Sequence, residues 1–235
     1  MIRDIFENHG IIITEEQEQK LNQYYDLLID WNNKINLTSI VEYEEVIWKH
    51  FLDSAFFVSC DKVDLKEKKK VLDLGTGAGF PGMVLAILCP DYEFVLADSL
   101  NKRIEFLKVV INRLQIHNVS VIHGRAEELG RDENFRNQFD YVVSRAVAEL
   151  PVLLEYCIPF VKKGGYFVSY KSRRLDEEIE NADNALNMLY TKYEKKYKYE
   201  LEYDHSERYL VFFRCENITD SKYPRKPKKI KTNPL

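Results

Sequence analysis

The residues best placed to do chemistry lie in one short run, VLDLGTGAGFPG, from Val71 to Gly82. It reads as a strand ending in Asp73 and Leu74, then glycines at 75, 77 and 79, then Pro81 at the first turn of a helix. Glycines at alternate positions let a backbone turn sharply and approach a ligand closely. Such a loop at the carboxyl end of a first strand is where α/β sheets bind ligands. The spacing separates the cofactors. A dinucleotide fingerprint, G-x-G-x-x-G, would place glycine at position 80, which is Phe80. A phosphate-binding P-loop would continue into GK[ST], which is absent. The pattern D-x-G-x-G-x-G is the form found in S-adenosylmethionine sites, so Asp73, Gly75, Gly77 and Gly79 are candidate cofactor residues.

Support follows downstream in the order such a site needs. FVLADS ends a second strand in Asp98, whose carboxylate is able to accept both hydroxyl hydrogens of a ribose. VIHGRAEEL sets Ala126 and Glu127 just after a third strand, where a backbone N–H or short side chain reads an adenine. Taken singly, a terminal Asp is also a turn former, and acids at 127 and 128 also suit a helix N-terminus. Taken together they make a ligandless turn a poor account. Arg145 follows a fourth strand, where a guanidinium suits a carboxylate or a phosphate. His50 and Asp53 share a helical face and are candidates to touch substrate; a packing histidine is the competing reading. Asn32, Asn33 and Asn36 offer donors to a base or phosphate, or serve only as turn formers.

These residues need a scaffold. Strands are expected at 70–74, 94–98, 120–123, 139–143 and 166–170, with helices at 81–88, 102–115, 149–160 and 175–191 between and after them. That alternation forces parallel pairing with right-handed crossovers, hence a Rossmann-like, doubly wound α/β sheet. Two further strands, near 196–203 and 207–214, have only a short polar linker and predict an antiparallel C-terminal hairpin at the sheet edge. Residues 1–69 read as a helical segment on this core of 70–216. Thr14 and Gln17 form a capping box, helices are expected from Thr14 and over 43–58, and WNNKINLTSI between them reads as a loop.

Composition sets the class. With 45% hydrophobic and 31% charged residues, the 235-residue chain is an ordinary globular protein. It has no apolar run of membrane-spanning length and no leader-like N-terminus. Its four cysteines show no metal spacing, which predicts free thiols, no metal and a cytoplasmic location. The net charge of −4 conceals a basic tail, 217–235, with Lys222, Arg225, Lys226, Lys228, Lys229 and Lys231 and, beyond Asp220, no acid. Interleaved prolines predict an extended strand that tracks RNA phosphates, independent of the cofactor site. The fourth strand, FDYVVSRAVAEL, lacks the acid or Asn, prolines and aromatic of exocyclic-amine methyltransferases, and no cysteine sits in an activating neighbourhood. A nicotinamide oxidoreductase, a non-catalytic scaffold of this fold, and a methyltransferase for a small molecule or protein are the rival classes.

The segments WNNKINLT, His50 with Asp53–Ser54, DLGTGAGFPG, LADSLNKRIEFLKVV, GRAEEL, VVSRAVAEL and YPRKPKKIKTNPL together resemble the bacterial small-subunit ribosomal RNA guanine-N7 methyltransferases, the glucose-inhibited division protein B family. The resemblance covers nearly the whole chain, though the helix expected at 173–193 and the Tyr/Lys-rich stretch after it carry little of it. It implies a class I methyltransferase fold, S-adenosylmethionine as cofactor, and small-subunit ribosomal RNA or a ribosomal particle as partner, with no membrane and no metal, for a chain expected to be monomeric. It implies cofactor contacts at Gly75, Phe80, Ala126, Glu127 and Arg145, beside Asp98 from the residues themselves. Arg145, Asn36 and His50 become candidates to position the target. It also implies attack by guanine N7 without a general base, since N7 is an acceptor with no proton.

Overall fold

A computed structural model describes residues 1–145, 148–172 and 175–235; Ala146 and Val147 of the VVSRAVAEL segment lie outside them. Seven strands form one sheet: β1 (Lys70–Leu74), β2 (Glu93–Asp98), β3 (Val119–His123), β4 (Phe139–Arg145), β5 (Val161–Lys171), β6 (Thr191–Leu201) and β7 (Ser206–Cys215). Their order is β3-β2-β1-β4-β5-β7-β6. The first five are parallel, and β7 runs antiparallel between β5 and the edge strand β6. The order reverses beside β1, so a crevice opens at the carboxyl ends of β1 and β4.

The central strands β1, β2 and β4 and the inner parts of β5 and β7 are buried on both faces because both are covered. Along β7, Leu210 and Phe212 enter one core while Val211 and Phe213 enter the other. The first core lies under α5 (Gly82–Leu88) and α6 (Asn101–Leu114) together with the N-terminal helices. The second lies under α8 (Leu150–Cys157), α9 (Leu175–Glu180), α10 (Asp183–Met188) and the C-terminal α11 (Pro227–Thr232). The short α7 (Ala126–Leu129) follows β3.

At the N-terminus, α1 (Ile2–Asn8) precedes α2 (Glu15–Ile35). The Thr14–Gln17 capping box forms as the sequence predicts. The expected loop from Trp31 starts later: Trp31–Ile35 are helical, and Asn36 ends the helix in the left-handed conformation at φ 48°. Residues 43–59 form one rod of α3 (Tyr43–Val46), a π-helical segment (Ile47–Leu52), α4 (Asp53–Ala55) and a 3-10 turn (Phe56–Ser59).

Three expectations fail. The helix expected over 175–191 is broken into α9 and α10, and β6 starts at Thr191 rather than Lys196. An irregularity in register between Tyr193 and Lys195 disrupts the period of two by which that strand would be read. The tail is not extended. Tyr223 and Ile230 are buried in the second core, and Arg136 donates to the carbonyls of Thr219, Asp220 and Tyr223 at 2.7–3.0 Å. The prolines exclude a long helix but leave room for the single short one that Pro227 starts.

Candidate functional site

Loops from the carboxyl ends of β1–β4 line a cleft of about 720 Å³, within the usual range for small-molecule sites. Backbone geometry builds its floor. Gly75 and Gly77 have φ of +76° and +61°, and a Cβ on Gly77 would project into open space on the left-handed backbone. Asp98 holds the loop from the β2 side: its carboxylate accepts from the Gly77 N–H and the Leu100 N–H, both at 2.9 Å, and from Arg103 at 3.1 Å. Three bonds leave acceptor capacity on a group that still lines the cleft.

Asp73 does a different job. It is fully buried beneath the loop, accepts from the Thr76 hydroxyl at 2.7 Å and the Gly82 N–H at 2.8 Å, and is absent from the cleft wall. Burial pushes its carboxyl up to about 6. Gly79 also faces inward, since a Cβ there would meet the Tyr24 hydroxyl and Leu107. Tyr24 donates that hydroxyl to the Ala78 carbonyl, so α2 supports the loop from below.

Gly75, Gly77, Phe80, Asp98, Ala126, Glu127, Arg145 and His50 all line the cleft. Arg145 is its hub. It donates to Asp53 at 2.8 Å, to the Lys49 carbonyl at 3.0 Å and to His50 Nδ1 at 3.1 Å, with its guanidinium 5.3 Å from the Phe80 ring centre. His50 stacks on Phe80 at 4.4 Å between centroids. A guanidinium only donates, so Nδ1 accepts; Nε2 then carries the proton toward Thr38 Oγ1, 2.9 Å away. Burial and the Arg145 charge lower the imidazole to about 3, so it is neutral. His50 and Asp53 thus meet one partner from a single helix face, as their spacing suggests.

The same hub borders a second cleft, about 440 Å³, lined by Lys49, Asp53, Lys171, Glu178 and Arg208 among others. Asn32 accepts from the N–H groups of Leu37 and Thr38 and fixes the turn carrying Thr38. Asn36 and Asn33 are exposed and line neither cleft.

The tail candidates divide. Arg225 is not available to RNA: it pairs through two nitrogens with the fully buried Glu155, at 2.6–3.0 Å. Lys222 pairs with Asp220. Lys226, Lys228 and Lys229 are exposed. Lys231, with Pro227 and Pro234, lines the first cleft, so the tail is not independent of the cofactor site. Sequence reasoning missed Thr38, Arg103, Val152 and Tyr156 in that wall. Of these only Arg103 gave a local signal, a cation five residues after Asp98 in the first turn of α6.

The four cysteines are buried and free, and burial pushes Cys60 and Cys89 up to about 12. Among the described residues, no group of three or more His, Cys, Asp or Glu is placed to hold a metal, and no helix is long and apolar enough to cross a membrane.

Known proteins align with this arrangement. The family described as rRNA small subunit methyltransferase G matches residues 17–205. The chain is 50% identical over 216 residues to ribosomal RNA small subunit methyltransferase G of Lachnoclostridium phytofermentans, covering 92% of this chain and 88% of that one. It is 46% identical to the protein of the same name from Alkaliphilus metalliredigens, over 97% and 94%. Among solved structures, Aeropyrum pernix fibrillarin with bound S-adenosyl-L-methionine superposes with a TM-score of 0.51 at 16% identity, covering 69% and 73%. Methanococcus jannaschii fibrillarin gives 0.52 at 19%, over 66% and 70%. At such identities these two speak for the fold alone.

Proposed function

The chain belongs to the rRNA small subunit methyltransferase G family, and on that premise we propose that it methylates N7 of a guanine in small-subunit ribosomal RNA. It is a methyltransferase of the class I fold that uses S-adenosylmethionine. The first cleft fits that cofactor: the left-handed glycine backbone leaves open space above Gly77, and Asp98 keeps acceptor capacity at the end of β2. Gly75, Gly77, Phe80, Asp98, Ala126, Glu127 and Arg145 would hold it. When bound, it supplies a methyl group on a sulfonium.

The observation that carries the N7 reading is the state of His50. Both ring nitrogens are committed, to Arg145 and Thr38, and its basicity is suppressed to about 3. It is the one imidazole lining the cleft among the described residues, and it removes no proton at neutral pH. Guanine N7 suits such a site, because it presents an in-plane lone pair and needs none removed. The remaining work is alignment and exclusion of water, which supplies roughly 7–11 kcal/mol when reactants are well oriented. Arg145 lines both clefts, and the second also carries Lys49, Lys171 and Arg208, each beside a carboxylate (Glu45 and Asp204, Glu178, and Asp53), so an RNA phosphate there would have to exchange for these partners.

Two measurements test this. Small-subunit RNA from cells with and without the protein should differ by one 7-methylguanine. Single-turnover rates with bound RNA should show no limb from a catalytic base between roughly pH 6 and 9. A steep rise with pH, abolished by one side-chain change, would point to an exocyclic nitrogen or a hydroxyl.

A further inference from the structure

The cofactor cleft is walled by loops of the sheet, by Leu37, Thr38 and His50 of the N-terminal segment, and by α8 and the C-terminal segment. Val152 and Tyr156 come from α8, and Pro227, Lys231 and Pro234 come from the last nine residues of the chain. We infer that Pro227, Lys231 and Pro234 are cofactor-site residues, and that the Arg225–Glu155 pair is the latch that keeps them there.

Three observations converge. First, this part of the wall is apolar with a charged rim: two prolines, a valine and an aromatic ring line the same cleft as Gly124–Glu127, which suits the faces of a purine ring with polar groups at its edge. Second, the segment is held by few, strong contacts. Glu155 is completely buried on α8 and takes Arg225 through its main-chain N–H at 2.8 Å, Nε at 2.8 Å and Nη2 at 2.6 Å. The same Nη2 donates to the Asn233 carbonyl at 3.0 Å, one residue before Pro234. A single guanidinium therefore ties both ends of α11 to α8. Third, apart from Ile230, the side chains between those ties at 228–232 are exposed, so α11 has one buried anchor of its own, with the half-buried Leu235 resting on the same core beyond it. A segment of this kind is positioned by its latch, and its inner face is completed when ligand fills the cleft. Arg225 and Glu155 are accordingly positioning residues, since neither lines the cleft.

The inference rests on the first cleft being the cofactor site and is independent of which RNA atom is methylated; its test uses no RNA. Wild-type protein is digested with trypsin with and without S-adenosylhomocysteine, and cuts are followed by mass spectrometry. Bound ligand should slow cleavage after Lys228, Lys229 and Lys231 at least fivefold. It should leave cleavage after the exposed, distant Lys66 and Lys68 unchanged. Arg225→Gln should raise the Kd for S-adenosylhomocysteine by calorimetry at least tenfold and abolish the protection. Lys231→Ala, which cuts no tie of the latch, should raise it about threefold and covers the case in which Arg225→Gln fails to fold. Equal cleavage of the tail with and without ligand, or a Kd within twofold of wild type in a folded Arg225→Gln protein, would overturn the assignment and leave the segment a structural cover only.

Discussion

The glycine loop and the C-terminal segment line the same cleft, but they are built by opposite means. The loop takes its shape from its own backbone: positive φ at Gly75 and Gly77, and N–H groups drawn onto the carboxylates of Asp73 and Asp98, all within about thirty residues of sequence. The segment takes its shape from side chains far away. Glu155 lies 70 residues before Arg225, and Arg136 holds carbonyls more than 80 residues on. A wall made by local backbone tolerates little change in residue type and leans on the rest of the chain at few points, such as Tyr24 beneath Ala78. A wall made by distant ion pairs tolerates surface change but fails when a single buried partner is lost.

The largest test of that contrast is Arg225→Ala. It leaves the Glu155 carboxylate buried without its charge partner, so unfolding free energy should fall by about 3–5 kcal/mol in urea titrations. A loss below about 1 kcal/mol would mean that the tail wall does not depend on the pair. Gly77→Ala should do the reverse. Its Cβ meets nothing, so the fold survives, but the strained left-handed backbone should weaken cofactor binding at least tenfold, about 1.4 kcal/mol. Unchanged affinity in calorimetry would remove the loop from the site.

Acid sharpens the comparison at the hub between the clefts. His50 titrates near 3 when folded and near its ordinary 6.5 when unfolded. Its contribution is present above pH 6.5 and is lost as pH falls toward 3, at about 1.4 kcal/mol per pH unit. Asp73 acts oppositely between about 6 and its ordinary value, because the folded protein takes up that proton first. The two largely cancel in the wild type, so the readout is a difference: the stability gap between wild type and His50→Gln should shrink as pH falls from 6.5 to 5. A constant gap would show that the imidazole titrates normally. The smallest effect belongs to the tail's outer face. Serine at Lys226, Lys228 and Lys229 together should flatten the log–log salt dependence of RNA binding by about 1–2 units, at roughly 0.7 per phosphate. An unaltered slope would take these lysines out of the RNA contact.

The same contrast explains what the sequence discloses. The five parallel strands, the hairpin, the Thr14 capping box and the glycine loop are legible because each is a short-range pattern. His50 and Asp53 are legible as a pair because helical spacing puts them on one face. Asp73 and Gly79 look like contacts, since a motif records which residues a loop needs without saying which face the ligand. The partners of Arg145, Arg225 and Tyr24 are set by sheet order and by helices packed from elsewhere, so no local pattern announces them. The tail misleads for this reason. Its six cations suggest an RNA strand, while one of them is a half-buried strut on the buried Glu155 and another lines the cofactor cleft.

The edge strand β6 has a consequence for the chain's life in a crowded solution. Its sequence TKYEKKYKYEL sets lysines at 192, 195, 196 and 198 along the open side of the sheet, paired with Glu216, Asp61, Asp176 and Glu207. A foreign strand joining that edge would have to lay its side chains beside four ion-paired lysines and bend around the irregularity at Glu194. The strand that hid its period from the sequence is thereby the one that guards the sheet against fibre-like growth.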